Sequence, residues 1–241
     1  MCGRYNITTS AQGLYDAFKI LSSKLNFDFT SPNYNIHPSP PNADANKIVL
    51  APIIRFTEDN YEAIPAVWPL IPKWAKGQVT KYSTANARAE TLSTTKSYQD
   101  AWKNGHRCLV PATGFYEWQV IEGQRKKQPY NIMLKNQAVF AMAGLWEESI
   151  NPETNQAINS FTIITTEANS LMAEIHNTKK RMPVIVNPDN YSTWLNGNME
   201  EGQQLLFPYP ENEMLAYKIS TAVNNPSYND KSIIEKLNKT Q

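Results

Sequence analysis

A cysteine stands at position 2 of 241 residues, directly behind the leading methionine, and the chain holds only one other, Cys108. Once Met1 is removed, Cys2 becomes a 1,2-aminothiol. Its amine titrates near ~8 and its thiol near ~8.5 in model peptides, so both nucleophiles are partly available at neutral pH. With an aldehyde the amine forms a Schiff base, and the thiol of the same residue then closes a five-membered thiazolidine, an intramolecular step favoured by proximity. Alternatively the thiol alone attacks an amide or ester with the α-amine as its base. An incidental cysteine at a disordered terminus is the plain alternative.

Three other positions could serve such chemistry. Glu117 lies in GFYEW, where flanking aromatics would raise its pKa and poise it for proton transfer. Spacing alone favours a different reading, an edge-strand glutamate facing water. His176, in AEIHN, could act as a general acid or base or could be a satisfied helix-end histidine. Asn86 and Arg88, in NARAE, pair a neutral amide with a fixed cation, which suits a sugar oxygen and a phosphate but equally a surface turn. The stretch WPLIPKW sets Trp68 and Trp74 around Lys73. With Trp118 and the cations Arg4, Arg88, Arg107, Lys126, Lys127, Lys179, Lys180 and Arg181, it offers stacking faces and phosphate contacts for single-stranded nucleic acid, or else core tryptophans and solvated lysines. The three histidines are far apart, and neither metal-binding, phosphate-loop nor G-x-S-x-G motifs occur, so no metal and no cofactor are expected.

The elements that must position these residues read as follows. Ser10–Leu21 carries helical spacing behind a serine cap. Residues 31–46 form a proline-rich loop. KIVLAPIIRF and YEAIPAVW flank TEDN as a β-hairpin. SYQDAWKNG is a helix closed by Gly105. From Arg107 the texture turns to strands: RCLVPATGFYEWQVI, then PYNIML, AVFAMAGLW and SFTIITT. EANSLMAEIHN is a helix leading into a loop at NTKKRMP, NYSTWLNG another short helix, and LAYKIS a late strand. Strands follow one another as hairpins rather than as βαβ units, so the fold class is α+β with a mainly antiparallel, barrel-like sheet and short flanking helices. With no repeat and no long linker, one domain over residues 1–241 is expected.

A net charge of +1 excludes a wholesale polycation, so any contact with nucleic acid rests on a local patch. No window is long and apolar enough for a transmembrane helix, and the opening residues have no secretory pattern. Two cysteines make no disulfide framework. A cytoplasmic protein without a membrane partner is expected.

Taken together, MCGRY, YNIHP, WPLIPKW, NARAET, RCLVPATGFYEW, KKQPY, AMAGLW, FTIITTEAN, IHNTKKRMPVIV and the late SxxVNN resemble the SRAP family (SOS-response-associated peptidase) in order along nearly the whole chain. The resemblance implies a single α+β domain around a strongly curved sheet. It also implies a DNA-repair function: sensing and shielding of abasic sites in single-stranded DNA by a covalent thiazolidine cross-link. In that reading Cys2 is the nucleophile, Asn86 orients the sugar or the N-terminus, Glu117 shuttles protons, and His176 stabilises the opened sugar. Arg4 and Arg88 hold flanking phosphates, while Trp68 and Trp118 pack against bases. The peptidase activity in the family name is removal of the leading methionine, not general proteolysis. Single-stranded DNA is the implied partner, with no small-molecule cofactor, and the protein is expected to act as a monomer.

Three departures from the family pattern stand out. Pro69 follows Trp68 where relatives have glycine, and His37 stands where histidine is unusual. The insert NTKK before Arg181 leaves open which of Lys179, Lys180 and Arg181 meets DNA. The rival reading is an N-terminal-nucleophile amidotransferase, which also opens MCG. It requires an HNG-type turn early in the chain, whereas here His176-Asn177 is followed by Thr178.

Overall fold

The computed structural model describes residues 3–35, 49–57, 60–78 and 80–237. Cys2, His37 and most of the proline-rich stretch lie outside the described residues. The N-terminal third contains β1 (Arg4–Ile7), α1 (Ala11–Phe18), β2 (Ser22–Ser23), β3 (Ser31–Asn35), β4 (Leu50–Thr57) and β5 (Asn60–Val67). The middle contains β6 (Asn86–Arg88), α2 (Gln99–Lys103), β7 (Arg107–Ala112), β8 (Gly114–Gln119), β9 (Gln128–Leu134), β10 (Phe140–Ile150) and β11 (Ala157–Glu167). There follow α3 (Ser170–Ile175), β12 (Arg181–Pro183), β13 (Ile185–Val186), α4 (Tyr191–Asn196), α5 (Met199–Gln204) and β14 (Met214–Lys218).

The fold is α+β, as expected. Five strands form a closed ring in the order β4, β5, β11, β10, β7. All neighbours in it are antiparallel except β5 and β11, which meet in parallel with Val67 opposite Ser160 and so complete the circuit. Closure removes the free edges that would otherwise template pairing with other chains. A second sheet, ordered β14-β9-β8-β1-β3, is antiparallel throughout.

The longest strand-like run in the sequence is two strands, not one. RCLVPA (β7) belongs to the barrel and GFYEWQ (β8) to the second sheet. The crossing is fixed by a buried polar belt. The Thr113 amide donates to the Asn6 carbonyl at 2.8 Å, Asn6 Nδ2 to Asn131 Oδ1 at 3.1 Å, and Asn131 Nδ2 to the Tyr217 hydroxyl at 2.9 Å. Gly114 is required there, because a β-carbon would sit 2.5 Å from Asn131 Oδ1. The two sheets share one core: Trp68 stacks on Phe161 of the barrel at 6.0 Å and meets Tyr5 of the second sheet edge-on at 5.6 Å.

Three local expectations change. Residues 31–35 are strand rather than loop, because β1 offers them a partner ladder. NAR is not a surface turn but β6, paired in parallel with β11. The first helix takes its cap from Ser10, whose side chain accepts from the Gly13 amide, but stops at Phe18, where Lys19 enters the left-handed region at φ 50°.

Candidate functional site

Glu117 is not an edge residue facing water; it is 2% exposed. Strand β8 is covered on both faces. Phe115, on the same face as Glu117, joins the main core, whereas Tyr116 and Trp118 meet the C-terminal segment through Ile219, Val223 and Ile233. A strand buried on both sides loses the alternation that marks a half-exposed one, which is why spacing misplaced this carboxylate.

Helix α3 packs beside β8 and ends on His176. The His176 Nδ1 lies 2.9 Å from the Arg181 carbonyl and 3.6 Å from Glu117 Oε1. A carbonyl can only accept, so Nδ1 carries the proton and the neutral ring keeps its basic lone pair on Nε2. Burial raises the Glu117 pKa to about 7, with the Lys127 charge pulling against it. Burial lowers that of His176, and the charges of Lys179 and Lys127 lower it further. Near neutral pH the pair is therefore a carboxyl poised between its two protonation states beside a neutral imidazole.

The other side chains approach from three directions. At the end of β11, β6 places Arg88 opposite Thr165, with Asn86 two residues earlier on the same face. Arg181 grips Glu90 through both terminal nitrogens, the longer contact being 2.9 Å, and donates to the Thr165 carbonyl at 2.6 Å. From β1, the Arg4 guanidinium lies over Trp118 at 5.6 Å and donates to the carbonyls of Val223 and Asn224. Trp118 Nε1 donates to Asn224 Oδ1 at 2.7 Å. Glu117, Trp118, Lys127, His176, Thr178 and Lys179 line a cavity of about 330 Å³.

The structure thus brings Arg4, Arg88, Glu117, Trp118, His176 and Arg181 into one connected neighbourhood, with Asn86 on the adjoining strand. Cys2 lies outside the described residues. Trp68 corrects the expectation of a base-packing face: it is 3% exposed, sandwiched in the core, and its Nε1 donates to the Ala85 carbonyl at 2.8 Å. Trp74, 37% exposed, belongs with Lys73 to a short 3-10 turn, Lys73–Ala75, and lines a different cavity with Tyr82 and Lys81. Sequence reasoning did not single out Asn224, whose only signal was SxxVNN. Nor could it separate Lys127 and Lys179 from the other lysines. The second cysteine offers no rival nucleophile: Cys108 is fully buried, and burial pushes its thiol pKa up. Among the described residues no cluster of three or more His, Cys, Asp or Glu could hold a metal, and no helix is long and apolar enough to cross a membrane.

Comparison with known proteins adds the family. The chain is 38% identical over 238 residues to the abasic site processing protein YoqW of Bacillus subtilis, covering 98% of this chain and 99% of that one. It is 29% identical over 231 residues to the abasic site processing protein HMCES of Pongo abelii, covering 82% of this chain and 63% of that one. A crystal structure of a protein from Bacteroides thetaiotaomicron superposes with a TM-score of 0.80 at 28% identity, covering 98% of this chain and all of that one. The model of the SOS response associated peptidase (SRAP) family matches residues 1–226, and the chain belongs to that family.

Proposed function

We propose that this protein senses abasic sites in single-stranded DNA and captures them covalently through Cys2 once Met1 has been removed. The observation that carries this reading is the buried Glu117, with its pKa near 7, set against His176 at the base of an open cavity. Strand β1 runs antiparallel beside β8 with Tyr5 opposite Phe115 and Asn6 opposite Gly114, so the register carries β1, read toward Arg4, in the direction of Glu117. The relatives named for abasic site processing support the substrate.

In the proposed sequence the α-amine of Cys2 adds to the aldehyde of the ring-opened deoxyribose. Glu117 as the acid protonates the carbinolamine hydroxyl, which leaves as water and gives the protonated imine. The Cys2 thiol then passes its proton back to Glu117 as its sulfur adds to the imine carbon, forming the C–S bond while the C=N π pair returns to the nitrogen, and the neutral thiazolidine is complete. A group titrating near 7 can give a proton in the first step and recover it in the second. The basic Nε2 of His176 suits the hydroxyl that ring opening releases. Arg88 and the Arg4–Trp118 pair suit phosphates and bases beside the lesion. This capture keeps the lesion from strand cleavage. Removal of Met1, by the protein itself or otherwise, is the only peptidase step it requires.

The test is intact mass spectrometry before and after incubation with an abasic oligonucleotide. Loss of Met1 followed by a mass gain of oligonucleotide minus one water is expected, with no adduct for Cys2→Ala. An adduct of equal yield on Cys2→Ala would defeat the reading.

A further inference from the structure

Two lysines reach the rim of the Glu117 cavity from separate elements, and both are held by ordered backbone. Lys127 immediately precedes β9, whose first residue, Gln128, pairs with Gln119 of β8 and donates to the Ile219 carbonyl at 3.0 Å. Lys179 sits in the insert between His176 and Arg181. That insert is stapled to the end of β8 by Asn177, whose side chain accepts from the Val120 amide at 3.1 Å and donates to the Val120 carbonyl at 2.8 Å. On its other side, the Lys180 amide donates to the His176 carbonyl at 2.9 Å, and the Lys180 carbonyl accepts from the Ala168 amide at 3.0 Å. The backbone that carries Lys179 is therefore anchored on both sides, at Asn177 and at Lys180. Glu117 is the sole carboxylate among the described residues that line the cavity, and burial favours its neutral form.

The arginine that follows the insert is already engaged, with both terminal nitrogens on Glu90 and a further bond to Thr165. It is well placed to hold the carbonyl that fixes His176, and less free to meet a new anion. From this geometry we propose that Lys127 and Lys179 together form the seat for the phosphodiester next to the abasic sugar, while Arg181 stays committed to Glu90 and Thr165. The sugar enters over Glu117 and His176, and its own phosphate is held at the rim by two cations and the Thr178 hydroxyl. Burial lowers the His176 pKa, and both lysine charges add to that lowering. The inference rests on the proposed function and extends it to the phosphate subsite.

The experiment uses full-length protein and a short single-stranded oligonucleotide carrying a tetrahydrofuran abasic analogue, which has no aldehyde and so reports binding without cross-linking. Each phosphate contact to a single strand contributes a slope of about −0.7 in log K against log salt, or about fivefold in affinity at 0.1 M salt. Lys127→Ala and Lys179→Ala should each weaken binding by about that factor and flatten the slope by about 0.7. Lys→Arg at either position should restore both. Lys103→Ala, on α2 and outside the cavity lining, should change affinity less than about twofold, within a general field effect. Replacing the phosphates flanking the analogue by neutral methylphosphonates should erase the difference between wild type and the alanine variants. Unchanged affinity and slope would overturn the inference, as would a lysine effect that survives the methylphosphonates. If wild type cross-links a natural abasic site while these variants bind like wild type, the phosphate seat alone fails. If wild type forms no cross-link, the underlying reading fails.

Discussion

Two glutamate–histidine pairs of nearly equal length occupy different parts of this molecule. His106 Nδ1 lies 3.5 Å from Glu147 at the start of the barrel, and His176 Nδ1 lies 3.6 Å from Glu117 in the second sheet. Distance does not distinguish them; their surroundings do. The His106 side chain is 34% exposed and stacks on Trp146 at 5.1 Å, a ring that also carries the Arg55 guanidinium at 4.6 Å. Arg55 in turn binds Glu62, so that pair ends in a network of fixed, compensating charges. The His176 side chain is 6% exposed, its proton is committed to a backbone carbonyl, and its glutamate is desolvated at the base of a cavity. A glutamate and a histidine in contact become a proton-transfer device only when burial moves the carboxyl toward neutrality and a space is left for substrate.

The comparison breaks most readily at the two glutamates. Glu117→Gln should slow cross-linking to abasic single-stranded DNA by about 10²-fold, the usual worth of a positioned acid or base, while affinity for a tetrahydrofuran oligonucleotide changes little. Glu147→Gln should leave the cross-linking rate within about twofold in the same gel assay. Equal slowing by both would mean that the rate follows global stability rather than site chemistry.

The second expectation concerns stability against pH. Glu117 rises from 4.5 to about 7 on folding, so the native state binds its proton more tightly than the unfolded chain does. Stability is then greatest below about 4.5 and declines as pH rises toward about 7, beyond which the loss is complete. Glu117→Gln removes that loss. Relative to wild type, the variant should gain about 1–3 kcal/mol at pH 8 and nothing at pH 4. Thermal denaturation would read this as a few degrees. A gain that is independent of pH would assign the effect to packing. Burial of His176 contributes with the opposite sign below its unfolded value of 6.5, but it does so in both proteins.

The smallest effect is expected at Asn224. Its side chain holds Trp118 and its carbonyl receives Arg4, so Asn224→Ala should raise the Kd for abasic single-stranded DNA about threefold, the worth of one modest hydrogen bond. The cross-linking rate at saturating DNA should stay near wild type. A lowered saturating rate with unchanged Kd would move Asn224 from binding to chemistry.

What the sequence made legible follows from how each element is buried. The β4–β5 hairpin, the caps of α1 and α2, and the late strand β14 could be read from local signals, because turn residues, Ser10 and Gly105 act over a few positions. The division of RCLVPATGFYEW between two sheets could not, since the break at Thr113 depends on Asn6 and Asn131, distant in the chain. Glu117 was singled out for its aromatic neighbours, yet its burial required knowing that the C-terminal segment covers the opposite face of β8. Trp68 and Trp74 looked alike in WPLIPKW, and only the barrel decides that the first is core and the second surface. Among eight basic residues, charge alone could not say that Arg181 is tied to Glu90 while Lys127 and Lys179 face the cavity.

The clasp between Arg4 and residues 223–224 also sets an order in time. Arg4 is made before its acceptor carbonyls, which lie some 220 residues later in the chain. At ~5–20 residues per second that delay is roughly 10–40 s of synthesis. Throughout it, the segment bearing Arg4 leaves the ribosome without the support that seats it against Trp118. The C-terminal residues Ile219, Val223 and Ile233, which pack against Tyr116 of β8, are made long after the strand that carries Arg4.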